Sequence, residues 1–174
     1  MDASARARKL RLMAFDVDGV MTDGSIYYTD AGTELKAFNA LDGAGLKMLE
    51  KAGITVAIIT GRQAACVEQR ARNLGIERLY QGVHDKVACL QTMLADLGLD
   101  ATAAGYMGDD VMDLGAMGLC GFAVAPANAH DAVLQRAHLV TRKHGGHGAV
   151  REACDFVLAA QGRLDDMILP WLPQ

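Results

Sequence analysis

The sequence predicts an α/β fold, a doubly wound and mainly parallel sheet with a β-hairpin projecting after its first strand. Three observations carry that prediction. Short apolar runs alternate with helix-length segments along nearly the whole chain, the pattern of strands buried on both faces and joined by right-handed crossovers. The helix-length segments stop at Gly53, Gly75, Gly98, Gly118 and Gly162, and glycine best accepts the left-handed turn that closes a helix. One segment, GSIYYTDAGTELKAF at residues 24–38, breaks the alternation with two strand-like stretches around Asp30-Ala31-Gly32, a hairpin signature.

Taken in order, the first apolar run covers residues 10–15 and stops at Asp16. After the hairpin, Asp42 is placed to cap a helix through Leu46, Leu49 and Lys51. Residues 55–59 are the second run, ending at Thr60-Gly61-Arg62, and a helix over 63–74 follows. A weaker third run, 78–81, leads into a helix over 86–97. The fourth, 103–107, ends at Gly108-Asp109-Asp110 and opens a helix over 110–117. A fifth run, 121–124, is stopped by Pro126, and 139–141 is a short sixth before a helix over 149–161. Residues 163–174 hold two of the three prolines and the only tryptophan, and read as a tail outside the core. No repeat or low-complexity stretch interrupts this order, and 174 residues suit one domain spanning 1–174.

Composition narrows the function classes. Hydrophobic residues are 51% and charged residues 22%, enough for a real core. A net charge of −4 argues against nucleic acid or an anionic membrane as partner. Aromatics at 5% leave little for stacking single-stranded bases. The basic start runs directly into Asp16 and Asp18, unlike a secretory signal, so a cytoplasmic location is expected. Cys66, Cys89, Cys120 and Cys154 lack metal-finger or redox-pair spacing and read as buried reduced thiols.

In such sheets ligands gather beyond the carboxyl ends of the strands. That edge collects Asp16 and Asp18, then Thr60 and Arg62, then Asp109 and Asp110, with Lys86 opening the helix after the third strand. Carboxylates crowded together raise one another's pKa. A divalent cation relieves this, and an all-oxygen site favours Mg2+ over zinc. Each motif alone has a bland reading, a solvated turn or a helix cap; their order and strand-end placement together do not. Asp113, one turn after Asp110, is placed to orient Lys86 or to back up the metal, and reads equally well as a simple charge near a helix cap. His144 and His147 flank Gly145-Gly146 without a nearby third ligand, which reads as a flexible glycine turn rather than a metal pair.

The order Asp-Val-Asp-Gly-Val, Thr-Gly-Arg, Lys, Gly-Asp-Asp resembles the haloacid dehalogenase superfamily of phosphotransferases. The resemblance implies that Asp16 attacks phosphorus, Asp18 serves as acid and base, and Thr60 and Lys86 bind the phosphoryl group. It also implies Mg2+ held by Asp16, the Asp18 carbonyl and Asp109. Too few residues lie between Gly19 and the second strand, or between Thr60 and Lys86, for a globular cap, so the fold is expected to be capless. Within the superfamily, FDVDGVMTDG, ELKAFNALDGAGLKML, VAIITGR, LYQGVHDK, GDDVMD and VTRKHGGHGAVREACDFVLAAQG resemble the 3-deoxy-D-manno-octulosonate 8-phosphate phosphatase family. That family implies a sugar acid phosphate substrate and a homotetramer in which neighbouring hairpins and tails close each site. It implies substrate contacts from Asp18, Asn39, Ala40, Leu41, Asp42, Gly43, Lys47, Arg62, Arg70 and Lys86, with Arg62 suited to pair a substrate carboxylate. Many members carry Arg where this chain has Leu41, and the ending DDMILPWLPQ matches no family pattern. Two other readings use the same residues: a phosphatase of a nine-carbon sialic-type sugar acid phosphate, and a phospho-acceptor signalling module. In the latter the acidic pair precedes the acceptor Asp, the reverse of the order here.

Overall fold

A short helix, α1 (Ala3–Ala7), opens the chain in the computed structural model, which describes residues 2–173. Met1 and Gln174, the ends of the expected 1–174 domain and its tail, lie outside the described residues. β1 (Leu12–Phe15) is next, and the projecting hairpin follows as β2 (Tyr27–Tyr28) and β3 (Glu34–Leu35). Then come α2 (Ala40–Lys51), β4 (Thr55–Ile59), α3 (Ala65–Leu74), β5 (Arg78–Tyr80) and α4 (Lys86–Leu97). β6 (Ala104–Met107), α5 (Leu114–Leu119), β7 (Phe122–Ala125), α6 (Asp131–Leu134), β8 (Leu139–Val140), α7 (Ala149–Ala160) and α8 (Leu164–Ile168) complete the order.

Six strands form one parallel sheet in the order β5-β4-β1-β6-β7-β8, as the alternating pattern predicts. The chain winds from β1 outward to β5, then crosses to β6 on the other side of β1. The crevice where the winding reverses therefore lies at the carboxyl end of β1. Side chains alternate across the sheet. Met13 and Phe15 enter the core packed by α1, α2, α3 and α7, while Leu12 and Ala14 enter the core packed by α4, α5 and α6. All four are buried, which is why this strand shows no polar alternation.

Three expectations need correction. The cap of α2 is Asn39, whose side chain accepts the backbone N–H groups of Leu41 and Asp42. Asp42 is buried and turns away from its own helix, accepting the N–H of Arg151 at 2.8 Å. α7 has a glycine, Gly148, at its cap position, so Asp42 supplies from α2 the carboxylate its first turn needs. The expected tail is not wholly outside the core: α8 docks, burying Met167 in the α2 and α7 layer with Leu164 against it. Trp171 beyond it is 85% exposed. The segment after Asp110 is a single 3-10 turn, Val111–Asp113, before α5, rather than one helix.

The turn His144–His147 is also not free. Gly145 N–H donates to Asn128 Oδ1 at 2.9 Å, Gly146 N–H to the Val20 carbonyl at 3.1 Å, and Asn39 donates to the Gly146 carbonyl. A Cβ on Gly145 would overlap the Gly19 carbonyl, backbone against backbone. Gly145→Ala should therefore cost on the order of 1–3 kcal/mol, the scale of overpacking, and disturb the Asp16–Gly19 loop. Gly118→Ala, in α5 without a left-handed φ and with nothing within 4 Å of its Cβ, is the control. Urea unfolding midpoints and phosphatase activity of the two variants check this: only Gly145→Ala should lose both.

Candidate active site

A cavity of about 390 Å³ opens at the carboxyl end of β1, lined by Asp16, Asp18, Gly19, Thr60, Arg62, Val83, His84, Lys86, Asp109, Met112 and Asp113. Its floor is built by chain geometry. Val17 C=O accepts the N–H groups of Val20, Met21 and Thr22, coiling the chain immediately beyond β1. Gly19 sits at φ +82°, and a Cβ there would overlap the Asp109 carboxylate. Only glycine lets the loops after β1 and β6 close together.

Asp16 is held at both oxygens: Oδ1 accepts the Val17 N–H at 2.7 Å and Oδ2 pairs with Lys86 Nζ at 3.0 Å. Lys86 also pairs with Asp113 Oδ1 at 2.7 Å. Asp113 is 1% exposed and fully engaged, since Tyr106 Oη donates to Oδ1 at 3.0 Å while the N–H groups of Asp109 and Asp110 donate to Oδ2. Burial pushes the Lys86 ammonium down, but Asp16 and Asp113 outweigh it and hold the pKa above the usual lysine value. Thr60, at the end of β4, is buried on the cavity wall.

Asp16, Asp109 and Asp113 offer carboxylate oxygens within 4.8 Å of one another. Asp109 Oδ1 is buried and has no hydrogen-bond partner among the described residues. Burial, then the neighbouring Asp113, pushes Asp16 up to about 6. Burial, then Asp16 and Asp113, pushes Asp109 up to about 7. One monocation cannot balance such a cluster, and hard oxygen donors suit a hard divalent cation. The residues present fit Mg2+.

Across the mouth lies the inner face of the hairpin. Tyr28 and Glu34 are directly paired across β2 and β3, so their side chains share one face. Arg62 spans both, donating to Tyr28 Oη at 2.8 Å and Glu34 Oε2 at 2.7 Å. Lys36, two residues beyond Glu34, pairs with Glu34 Oε1 at 2.7 Å and with Asp18 Oδ1.

Comparison with known proteins decides the family. A sequence profile of the haloacid dehalogenase-like hydrolases matches residues 79–152. The 3-deoxy-D-manno-octulosonate 8-phosphate phosphatase KdsC of Yersinia pestis is 49% identical over 164 residues, 94% of this chain and 88% of that protein. The chain belongs to the 3-deoxy-D-manno-octulosonate 8-phosphate phosphatase family. A Moraxella catarrhalis structure of that phosphatase, in complex with magnesium, phosphate and KDO, is 40% identical and superposes with a TM-score of 0.96 over 98% of both chains. A cobalt-bound Haemophilus influenzae relative is 36% identical with a TM-score of 0.89, covering 92% of this chain and 94% of that one.

Of the residues expected in this family's site, Asp16, Asp18, Thr60, Arg62, Lys86 and Asp109 line the one cavity. Asn39, Ala40, Leu41, Asp42, Gly43, Lys47 and Arg70 do not line it within this chain. Arg70 lies over the Phe38 ring at 5.7 Å and donates to the Asn39 carbonyl, bracing the start of α2. Lys47 borders a separate cavity with Met48, Met167 and Trp171. Lys36, Glu34 and Tyr106 were not anticipated. The period-2 alternation of Glu34 and Lys36 across Leu35 was the available signal, and it marks a shared face without saying what that face covers.

Folded, the unmetallated site keeps protons on Asp16 and Asp109 that the unfolded chain releases. Its stability therefore falls as pH rises from the ordinary aspartate value of 3.8 toward about 7. Asp16 and Asp109 would give up those protons on holding Mg2+. Thermal unfolding with and without Mg2+ should show a larger stabilisation above about pH 7 than below about pH 6, and Asp109→Asn should flatten the difference.

Proposed function

We propose that this chain is a magnesium-dependent phosphatase that hydrolyses 3-deoxy-D-manno-octulosonate 8-phosphate to the free sugar acid and phosphate, in lipopolysaccharide biosynthesis. The observation that carries the reading is the Asp16–Lys86–Asp113 ion cluster beside Asp109, whose Oδ1 has no hydrogen-bond partner among the described residues, on a chain 40% identical to the Moraxella enzyme that holds magnesium, phosphate and KDO.

Asp16 and Asp109, with the Asp18 carbonyl, would hold Mg2+. The ion would neutralise phosphoryl oxygens and permit both carboxylates to stay ionised. An Asp16 carboxylate oxygen attacks phosphorus, the bond to the sugar oxygen breaks, and its electron pair leaves with that oxygen. Asp18 delivers the proton that oxygen needs. The product pair is the free sugar acid and an aspartyl-phosphate on Asp16. A water oxygen then attacks phosphorus and gives its proton to Asp18, while the bond to Asp16 breaks and returns its electron pair to the carboxylate. Lys86 and the Thr60 hydroxyl stabilise the charge spread over the phosphoryl oxygens. Arg62 is the guanidinium offered to the substrate carboxylate.

The working form is a cytoplasmic homotetramer, with each neighbour completing the site. No helix among the described residues is long and apolar enough to cross a membrane. Supporting the assembly is the outer face of the hairpin, where the paired Tyr27 and Leu35 are 51% and 50% exposed. A two-stranded ribbon with an apolar outer face gains by packing on its own copies.

Phosphate release from eight- and nine-carbon sugar acid phosphates, with ordinary sugar phosphates as controls, tests the substrate. The eight-carbon ester should give the highest kcat/KM. Asp16→Ala should lose on the order of 10³-fold or more in kcat while still binding Mg2+ through Asp109, whereas Asp109→Ala should weaken Mg2+ binding itself. Residual turnover of a few per cent in folded Asp16→Ala would remove the nucleophile assignment. For the assembly, Tyr27→Asp with Leu35→Asp should yield smaller species in light scattering and a raised KM, leaving Arg62 in its clamp; a fully active monomer would refute completion by a neighbour.

A further inference from the structure

The hairpin contributes a side chain that no strand-end motif announces. The side chain of Lys36 is 1% exposed, although the residue is only half-buried and belongs to a projection with almost no core of its own. Lysines are almost never so buried without partners, and its partners are two carboxylates: Glu34 Oε1 and Asp18 Oδ1. Glu34 spends its other oxygen on Arg62, and Arg62 Nε in turn lies 4.0 Å from Asp18 Oδ2. The four side chains close a ring of two cations and two carboxyl groups, formally neutral when both are ionised, and the proton that Asp18 delivers sits on Oδ2, the oxygen that no cation approaches within hydrogen-bond distance. Only Asp18 within the ring also reaches the reacting atoms in the scheme above.

Such a ring discriminates between the two oxygens of Asp18. Oδ1 is taken by an ammonium that Glu34 holds in place. Oδ2 faces a guanidinium at 4.0 Å, beyond hydrogen-bond reach, and belongs to a residue that lines the cavity. A carboxyl group turned by even a small angle would present its proton off line to the departing oxygen, and misplacement on the scale of 1 Å costs about 10²-fold.

We propose that Lys36 is a positioning residue for the phosphatase reaction, fixing the Asp18 carboxyl group so that its Oδ2 serves the leaving-group oxygen. The inference rests on the reading of Asp18 as the proton donor. In the step concerned, the bond between phosphorus and the ester oxygen breaks, its electron pair stays on that oxygen, and the Asp18 proton moves to it. Glu34 belongs to the same device, because without it Lys36 would have one anchor instead of two. The hairpin thereby does more than shade the mouth: it sets the orientation of a group in the reaction.

Leaving-group acidity separates this role from a merely structural one. A p-nitrophenolate needs little help to depart, phenolate needs more, and a sugar alkoxide most. Because kcat/KM reports the steps through departure of the first product, it isolates the step at issue. Lys36→Met keeps the stem length and removes the charge. It should lower kcat/KM by about ten-fold or more for the sugar acid phosphate, and progressively less for phenyl phosphate and p-nitrophenyl phosphate, within the range that general acid catalysis spans. Asp18→Asn should show the same gradient more steeply. The double variant should be no worse than Asp18→Asn alone, since the lysine then has nothing left to orient. Lys36→Arg should restore most of the loss. Glu34→Gln, which retains the lysine, should reproduce the gradient in weaker form and keeps the test alive if Lys36→Met does not fold. A uniform loss across all three esters, or full additivity in the double variant, overturns the positioning role. If Asp18→Asn itself shows no gradient, the proton-donor reading fails instead, and the two failures are distinguishable.

Discussion

Three carboxylates forced within 4.8 Å of one another at the carboxyl end of β1 govern the rest of this molecule. The topology leaves no alternative, because β1 lies between β4 and β6 and the loops after β1 and β6 meet there. Like charges in a buried place raise one another's pKa and destabilise the fold unless cations answer them. Lys86 answers Asp16 and Asp113 and is itself kept charged by them. Tyr106 and two backbone N–H groups complete Asp113. What is left over is Asp109, one oxygen of which has no hydrogen-bond partner among the described residues, beside Asp16, a pair of hard oxygen donors suited to a divalent cation.

The same constraint explains the glycines. Gly19 lies under the Asp109 carboxylate, and Gly145 lies on the Gly19 carbonyl. Three loops from distant parts of the chain are thus stacked at near-contact distances, with Asn39 and Asn128 tying the outermost one down. Bringing the carboxylates this close requires backbone without side chains at those points. A buried anion cluster and a set of small residues are two sides of one packing problem.

The hairpin solves a different one. A cavity with no globular cap lies open to water, which weakens every electrostatic interaction inside it. Here the polar face of a two-stranded ribbon is turned inward, and its outer face is left apolar. Glu34 stays ionised, its carboxyl held down to about 2 by Arg62 and Lys36, and it acts as the shared anion between two cations. The arrangement ties a two-stranded projection to the loop after β1 and to the loop after β4 by charge instead of by core packing.

The succession of strands and long helices, the parallel sheet and the residues at the strand ends were legible in the amino-acid sequence, because each depends on local pattern. A buried strand is apolar throughout, a helix stops at glycine, and a side chain just past a strand end must lie at the sheet edge. Asp16, Thr60, Lys86 and Asp109 could be named on those grounds. The cap of α7 could not, since Asp42 serves a helix more than 100 positions away, and no local signal says which of Asn39 and Asp42 faces its own helix. Nor could the docking of α8 through Met167, or the seating of Gly145 against Gly19. Lys36 is the sharpest case. Its spacing from Glu34 marks a shared face, but only the fold of the hairpin over the crevice places that face on Asp18. By itself the sequence determined which elements form and which chemistry they carry at their ends; tertiary structure alone decided which distant groups neutralise one another, because pairing of charges depends on distance through space and the sequence records only distance along the chain.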